Sequence, residues 1–467
     1  MKLADIIETF ISGDWGEESP SNDTPNAVYC VRGADIVPIT NHRFNDIPQR
    51  YVCQRTVDSK MLQAGDLIIE KSGGSPTQST GRIVYVSDDL IREKGNIVCS
   101  NFCTALRVKS EWNPLYVFYY WQNVYNHDAF FNFEGKTSGI KNLQLDNALS
   151  AIEIEYLPLE SQNKIVASLS AIDEKLKINR QINDNLEAMA KQLYDYWFVQ
   201  FDFPNEEGKP YKSSGGAMVW NEKLKREIPQ GWNNGILFDV ANITMGQSPD
   251  GSSYNEVGEG SIFYQGSTDF GLRFPVIRQY TTSPNRYANK GDILMSVRAP
   301  VGALNIANND CCIGRGLSAL SSKIGSMTHL YYLMNDFRLK FEGMNSAGTT
   351  FGSITKDELF SLPVIIPTKF VISEFEKVCE PIFDKQMIIG EEINALTKQR
   401  DELLPLLMNG QASVNYHLTD NLVFECNHHH YRLYSCYLNL LFSFVSPNRW
   451  IYRTQPDACG SRGIEWF

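Results

Sequence analysis

The sequence lacks the short motifs that mark a catalytic centre. It has no glycine-rich phosphate loop ending in GKS or GKT, no GxGxxG, no HExxH and no Pro-Pro-aromatic string for holding a flipped base. Asp66 and Glu70 resemble part of an acidic nuclease cluster, but a second, similar segment has Asp292 and Ser296 at those places. We therefore interpret them as turn and strand residues and expect the chain itself to be non-catalytic.

Long apolar runs and paired cysteines are also missing. The apolar stretch Tyr434–Ser446 is shorter than the ~18 residues that a membrane span requires, and Met1–Asp14 shows no targeting signal. The ten cysteines form no CxxC pair, which argues against a structural zinc site or a disulfide framework. These absences predict a cytoplasmic protein with no membrane partner and no bound metal.

Positive charge is scarce as well. The formal net charge of -11 argues against a nonspecific coat on nucleic acid. Salt limits the reach of a surface charge to about 10 Å, so a local basic groove is compatible with this average. With 467 residues, of which 43% are hydrophobic, the chain is expected to fold as two domains whose contacts with DNA are local.

What the sequence does contain is a duplication. Two long helical segments share one apolar register at a constant offset, with Ile172, Lys175, Ile178, Leu186 and Leu193 matching Ile382, Lys385, Ile388, Leu396 and Leu403. Each follows a globular segment of mixed short strands and loops, and Gly65–Ile68 in the first recurs as Gly291–Leu294 in the second. The predicted fold is α+β, with two similar heads that are each followed by a long helix. The predicted segments are head one (1–157), the first helix (158–202), a polar connector (203–231), head two (232–366), the second helix (367–410) and an atypical tail (411–467).

Both long segments carry apolar residues in heptads, which predicts an antiparallel coiled coil. Asn179 and Asn183 interrupt the first seam, Gln386 and Arg400 interrupt the second, and Pro381 predicts a kink or break in the second helix. The alternative is that each helix is amphipathic and lies on its own head. The residues predicted for helix pairing and partner binding are Ile165, Leu169, Ile172, Leu176, Asn179, Asn183, Leu186, Leu193, Ile382, Ile389, Ile393, Leu396 and Leu403.

Glycine-rich loops in each head carry side chains suited to DNA: Arg and Lys for guanine, Gln for adenine, Ser and Thr for phosphate. The alternative for any one of them is a solvated loop residue. The predicted DNA contacts are Lys71, Ser72, Arg82, Lys136, Thr137, Ser138 and Lys141 in head one, and Gln265, Arg298, Arg315, Thr349, Thr350 and Ser353 in head two.

The tail from about Ala412 repeats nothing in the rest of the chain. Cys426, His428 and Cys436 belong to a group that could bind a metal, but chance composition explains it better without an ordered core around it. We expect this tail to be disordered or loosely docked.

As a constellation, these features resemble the specificity subunits of type I restriction-modification enzymes over about residues 1–410. The resemblance rests on the duplicated head and helix, the strands after Gly65 and Gly291, and the loop Gly135–Ile140. It also includes the strand-then-proline pairs Leu157-Pro158 and Ile366-Pro367 and the closing segment Leu404–Gly410.

By this resemblance, each head is a target recognition domain for half of a split double-stranded DNA sequence, and the coiled coil docks two modification (methyltransferase) subunits. Those partners would bring S-adenosylmethionine, and separate restriction (translocase and nuclease) subunits would use ATP and magnesium, so no cofactor is expected in this chain. One departure is Phe370 and Val371 after the second proline. The first helix has Gln162 there, which implies tighter partner docking at the first helix.

Two other functions are compatible with parts of the sequence. A coiled-coil scaffold that binds only proteins would explain the acidic net charge. A self-sufficient nuclease or methyltransferase would require degenerate motifs, and it would act on DNA without partner subunits.

Overall fold

The structure is a computed structural model that describes residues 1–73, 78–137, 140–346, 352–416 and 422–426. They form two compact units. One comprises residues 1–171 with the C-terminal part from Arg400, and the other comprises residues 172–399. Among the described helices, none combines the length and the apolar character needed to cross a bilayer.

Head one is built from short strands and helices in mixed order. Its elements are β1 (Ile7–Ser12), β2 (Asn26–Val31), α1 (Ile36–Thr40), β3 (Gln49–Val52), α2 (Gln54–Lys60), β4 (Leu67–Glu70), β5 (Ser72–Gly73), β6 (Ile83–Tyr85), α3 (Asp88–Lys94), β7 (Ile97–Cys99), β8 (Cys103–Val108), α4 (Pro114–Asn126), β9 (Glu134–Thr137), β10 (Ile140–Leu143) and α5 (Leu145–Ala151). They form three sheets, in the strand orders β1-β8-β4-β6, β3-β2-β7 and β5-β10-β9.

The remaining elements follow in chain order. They are α6 (Leu159–Tyr194), β11 (Met218–Asn221), β12 (Arg226–Pro229), β13 (Asn233–Ile236), α7 (Leu237–Val240), β14 (Ala241–Met245), β15 (Tyr254–Asn255), β16 (Ser261–Tyr264), β17 (Gln279–Thr281), β18 (Tyr287–Ala288), β19 (Ile293–Ser296), β20 (Leu304–Ile306), β21 (Cys311–Ile313), β22 (Leu317–Ser322), α8 (Met327–Ser346), α9 (Lys356–Phe360), β23 (Pro363–Ile366), α10 (Lys369–Met408), β24 (Ala412–Tyr416) and β25 (Leu422–Cys426).

The two heads have the same topology, as the duplicated sequence predicts. The order β14-β22-β19-β20 in head two repeats β1-β8-β4-β6 in head one, and all the pairings in both sheets are antiparallel. The second sheet is also repeated, because β16 runs parallel to β21 and antiparallel to β17, as β2 does with β7 and β3. The differences between the two heads therefore lie in loops and in added edge strands, while the central sheets stay the same.

The repeated Gly-Asp pair, Gly65-Asp66 in head one and Gly291-Asp292 in head two, forms a turn that leads into a central strand. Gly65 and Gly291 have φ values of +96° and +92°, a conformation that residues with a Cβ rarely adopt. The Gly65 N–H donates to the Val86 carbonyl at 2.9 Å, and the Gly291 N–H donates to the Ala307 carbonyl at 2.7 Å. The same turn thus starts β4 in one head and β19 in the other.

In residues 172–399, the long helices pack against each other in antiparallel directions. Leu176 clusters with Ile389 and Ile393, whereas Tyr194, further along α6, clusters with Phe375 near the start of α10. In the other unit, Ile165 and Leu169 of α6 share a core with Leu404, Leu407 and Met408 of α10. Leu403, Ile172, Leu186, Leu193, Ile382 and Leu396 are half-buried. The predicted antiparallel helix pair is confirmed.

Three segments differ from the sequence-based expectation. The helix α10 continues without a break through Pro381, whose predicted break is wrong, because the buried Phe375 and Cys379 hold the preceding turns in place. The connector contains the hairpin of β11 and β12, and its ends are buried at Phe203 and Ile228.

The start of the tail also differs from the expectation of disorder. Its first strands, β24 and β25, form an antiparallel hairpin, and Ala412 is buried in the core of its unit. Residues 427–467, which hold the histidine cluster, lie outside the described residues.

Candidate nucleic-acid interface

In head one, a small sheet joins the two loops that the sequence predicted to contact DNA. Strand β10 lies between β5 and β9, so Lys141 pairs with Gly73 on one side and with Lys136 on the other. The hydroxyl of Ser72 donates to Oδ1 of Asn142 at 2.5 Å. Residues that are about 70 positions apart in the chain therefore share one surface.

Two of the predicted cations in head one are engaged within the head. Arg82 donates from Nε and Nη2 to the carboxylate of Glu70, at 2.8 and 2.6 Å, and these hydrogen bonds raise the pKa of Arg82. Lys141 lies 3.4 Å from the carboxylate of Glu134 and donates to the Gln78 carbonyl. Both side chains have a structural role, and their predicted contacts with DNA stay predictions.

Head two brings four of its predicted residues together. The Ser248 hydroxyl oxygen accepts hydrogen bonds from the Arg315 backbone N–H at 3.2 Å and from Gln265 Nε2 at 3.5 Å. Arg298 forms a backbone bridge with Ser353, next to the point where the Val297 N–H donates to the Gly316 carbonyl. Gln265, Arg298, Arg315 and Ser353 therefore lie along one set of neighbouring backbone and side-chain contacts.

The arginines of this cluster differ in environment from Arg82. The side chains of Arg298 and Arg315 are exposed, and within the described part of the chain neither guanidinium has an ion-pair partner. An exposed, uncompensated guanidinium can donate two parallel hydrogen bonds to phosphate or to the major-groove edge of guanine. Head two therefore presents arginine donors at its surface, whereas Arg82 of head one is engaged within its head.

Several predicted contacts cannot be placed. Ser138, Thr349 and Thr350 lie outside the described residues, and Lys136 and Thr137 are described only as backbone positions of β9. Lys71 lies in an open cleft whose lining includes Phe10, Thr104 and Asn147.

The acidic residues of the two Gly-Asp turns make contacts within the fold. Asp66 is fully buried and accepts two hydrogen bonds from Arg107, at 2.8 and 2.9 Å. In head two, Asp292 accepts from the Asn289 backbone N–H at 2.8 Å. Within the residues that the structure describes, no group of three potential metal ligands is found. These contacts agree with the interpretation of the acidic residues as turn and strand residues.

The two asparagines in the seam of the first long helix differ in their contacts. Asn179 donates to Glu392 at 2.8 Å, and Lys175 lies 3.1 Å from the same carboxylate. Asn183 is buried, and its Oδ1 has no partner among the described residues. Such buried amides typically specify the register of a helix pair.

The glutamine near the start of α6 is internal. Gln162 is fully buried, its Oε1 accepts from the Asn113 N–H at 2.8 Å, and its Nε2 donates to the Leu157 carbonyl at 2.8 Å. The side chain therefore holds the start of α4, and tighter partner docking at the first helix stays a prediction. Glu376 of α10 has the matching role in head two. It accepts from the hydroxyls of Ser326 and Thr328 at the start of α8, and burial raises its pKa.

The fold and these sites can be compared with known proteins. The family described as "Type I restriction modification DNA specificity domain" matches residues 1–188 and 229–396, more than half of the chain. The chain belongs to this family. Type I specificity subunits recognise DNA and are not catalytic, so the alternative of a self-sufficient nuclease or methyltransferase is wrong.

Individual relatives of this specificity subunit agree with that assignment. The putative type I restriction enzyme MjaX specificity subunit of Methanocaldococcus jannaschii is 32% identical over 318 residues, which cover 66% of this chain and 70% of that protein. The HindI specificity subunit of Haemophilus influenzae is 21% identical over 470 residues, which cover 84% of this chain and 95% of that protein. The crystal structure of the type I S subunit from M. genitalium is 15% identical, with a TM-score of 0.50 over 87% of this chain and 95% of that one, and it supports the fold alone.

For a DNA-recognition subunit, two exposed aromatic side chains in head one become relevant, and sequence reasoning missed them. Phe102 is 59% exposed and Phe10 is 53% exposed. The carbonyl of Phe102 accepts from the N–H groups of Lys71 and Ser72, at 2.8 and 3.1 Å, so its ring stands beside predicted DNA contacts. A phenylalanine carries no hydrogen-bonding group, so the pattern of polar loop side chains does not point to it. Comparing the two heads could have identified Phe102. Gly316 occupies the matching place in head two, so the fold does not require an aromatic ring there.

Proposed function

We propose that this specificity subunit binds a bipartite double-stranded DNA target, one half-site to each head, and that its paired helices bind two modification subunits. One observation carries the proposal: the two heads present the same backbone site with different side chains. The Lys71 N–H donates to the Phe102 carbonyl at 2.8 Å, and the Val297 N–H donates to the Gly316 carbonyl at 2.9 Å. Two heads with the same backbone and different side chains can bind DNA in the same way and recognise two different half-sites.

This correspondence assigns a different contact chemistry to each head. Arg298 of head two stands where head one has Ser72, and Arg315 stands where head one has Asn101. Arginine forms the commonest specific contact with guanine, whereas Ser and Asn suit phosphate and adenine. We therefore infer that the half-site of head two contains guanine at the positions contacted by these arginines.

The duplicated helices supply the argument for two identical partners. Ile178 and Ile388 hold the same place in the repeated register, and both are exposed, by 43% and 59%. An apolar residue that stays exposed at equivalent places in both copies suits two copies of one partner. In this proposal those partners bind S-adenosylmethionine and methylate adenine, restriction subunits use ATP and magnesium, and the assembly acts on DNA in the cytoplasm.

The proposal is tested by mapping methylated adenines in cells that carry the modification subunits and this chain. Arg298→Gln and Arg315→Gln should each relax one guanine position in a single half-site while the other half-site and the spacer stay unchanged. Each bidentate contact contributes about 1–3 kcal/mol of discrimination, so the preference for that base should fall roughly 5-fold to 150-fold.

Lys290→Gln is the matched control. Lys290 lies at the opposite end of β19 and pairs only weakly with Glu391, at 3.5 Å between exposed side chains. It should leave the methylated sequence unchanged. An undivided target, or a change in both half-sites with either arginine variant, would contradict the proposed function.

A further inference from the structure

A charged side chain of head two is inserted between the long helices. Arg273, in the segment between β16 and β17, is 7% exposed. Its Nη1 lies 3.2 Å from the carboxylate of Glu187 on α6, and its Nη2 donates to Oε1 of Gln386 on α10 at 3.0 Å. Nε2 of Gln386 also donates to Glu187 at 2.8 Å. These three residues, here called the Arg273 cluster, connect head two to both helices at one point.

Aromatic rings surround Arg273, and a glycine of α10 makes room for the neighbouring Phe274. The guanidinium carbon of Arg273 lies 5.0 Å from the ring centroid of Phe383 and 5.4 Å from that of Tyr331, within the range of cation–π attraction. The next residue, Phe274, is buried against α10 at Gly390, where an added Cβ would lie 2.6 Å from its ring. The segment therefore fits one particular position along α10.

Stability alone does not explain the Arg273 cluster, because apolar side chains could stabilise this seam equally well. Gln386 is fully buried at a seam position where the heptad pattern calls for an apolar residue, and Nε of Arg273 has no partner among the described residues. Buried ion pairs are often replaced by apolar side chains with no loss of stability, whereas buried polar groups can fix register and orientation. A geometric role explains why this seam contains a charge.

The duplication shows that the buried glutamine of this cluster is specific to the second copy. Leu176 corresponds to Gln386 in the repeated register, and it is a fully buried apolar residue that packs with Ile389 and Ile393. The matching segment of head one, between β2 and β3, has its arginines at Arg32, which pairs with Asp35 of the same head, and at Arg43. The polar contact has therefore been added to a seam that the other copy forms with apolar side chains.

We propose that the Arg273 cluster fixes the orientation of head two on its helix pair and thereby determines which spacer length the subunit accepts between half-sites. Arg273 is a positioning residue in this proposal, which rests on the proposed bipartite recognition. A single ion-paired and hydrogen-bonded contact to two helices restricts rotation of the head about either one. Loss of the contact should leave base recognition intact and loosen the distance requirement.

The test compares methylation of targets whose spacers differ by one base pair, using the complete modification complex. A displacement of about 1 Å can lower a reaction rate on the order of a hundredfold, so the wild type should strongly disfavour the altered spacers. Arg273→Met combined with Gln386→Leu removes the charge and keeps the apolar volume. This variant should methylate the same half-sites with spacers one pair longer and shorter, within about tenfold of the original spacer.

Lys323→Met is the matched control, because it removes a positively charged side chain of head two that contacts Phe238 of the same head. It should keep the wild-type spacer preference. An equal loss of methylation at every spacer in the Arg273 variant would overturn the proposal, and so would a spacer change in Lys323→Met of the same size.

A second measurement separates this inference from the proposed function. Hydrogen exchange of residues 270–276 in the free chain should become faster in the Arg273 variant, with no DNA required. If the wild type recognises no bipartite site, the proposed function fails, whereas unchanged exchange in this segment would refute the Arg273 cluster as a constraint on head two.

Discussion

The imidazole of His329 meets the ring of Phe198 edge-on, with the ring centroids 4.5 Å apart and an interplanar angle of 72°. Tyr194 packs on the same imidazole at 5.7 Å. The ring is buried, and its Nδ1 has no hydrogen-bond partner among the described residues. Burial therefore lowers the pKa of His329 to about 3. A histidine inside an aromatic cluster makes the stability of this unit sensitive to acid.

We expect the stability around α8 to fall on acidification from pH 7 to pH 5. Above the ordinary pKa of 6.5, His329 is neutral in both states. Between pH 6.5 and about 3 the unfolded chain binds a proton that the native state excludes, so the free energy of unfolding falls by up to ~1.4 kcal/mol per pH unit. Native-state hydrogen exchange of α8 at several pH values measures this loss. In His329→Phe most of it should disappear, and parallel pH profiles in the two proteins would contradict this explanation.

Arg82 should matter for the stability of head one. Its side chain is 18% exposed and that of Glu70 is 6% exposed, so Arg82→Met would leave a buried carboxylate without its partner. The expected loss is about 3–5 kcal/mol, measured by hydrogen exchange of β4 and β6.

Glu70→Gln combined with Arg82→Met removes both charges and serves as the control. It should recover much of the lost stability, because no uncompensated charge remains. If Arg82→Met instead leaves exchange unchanged and alters the methylated sequence, then the arginine contacts DNA and its pairing with Glu70 is dispensable.

Phe102→Ala should weaken DNA binding through head one. An exposed ring beside Lys71 and Ser72 can stack on a base or enter a base step, and an aromatic contact of that kind contributes about 1–3 kcal/mol. We therefore expect a roughly 5-fold to 150-fold weaker affinity of the assembled complex, measured by retardation of duplex DNA at fixed salt. Phe131→Ala, which removes another exposed ring of the same head, should have little effect. Equal losses in both variants would argue against a specific role for Phe102.

Ile178→Asp and Ile388→Asp should each reduce the number of bound modification subunits from two to one. The charge is introduced at an exposed position, so the helix pair should persist while the apolar contact with the partner is lost. Native mass spectrometry of the purified complex reports the stoichiometry. Gln181→Asp, at another exposed position of α6, provides a charge control. Retention of both partners in the isoleucine variants would show that docking uses another face.

Much of this architecture follows from patterns that are local in the sequence. Heptad spacing predicts the long helices and their pairing, because periodicity depends only on neighbouring turns. The recurrence of Gly65 at Gly291 predicts a turn before a strand in both heads, because only glycine readily adopts their positive φ. The same duplication predicted two loop regions for DNA contact in each head. In head one, the structure brings these two regions together through the pairing of β5, β10 and β9.

Partners of individual side chains could not be predicted in this way. Arg82 and Arg298 are both loop-flanking arginines in sequence, yet one is paired with Glu70 and the other is exposed. Gln162 follows a proline at the start of a helix, and the sequence did not indicate that its contacts would be with Asn113 and Leu157. Each outcome depends on residues that fold next to the side chain from elsewhere in the chain.

The amino-acid sequence by itself determined the duplication, the α+β heads, the antiparallel helices and the family, because repeats and periodicity are carried by spacing. Only the tertiary structure decided which cations remain free and why Gln386 interrupts an apolar seam. The physical reason is that a buried charge such as Arg273 requires partners from two separate helices, and their convergence is fixed by packing rather than by any local pattern.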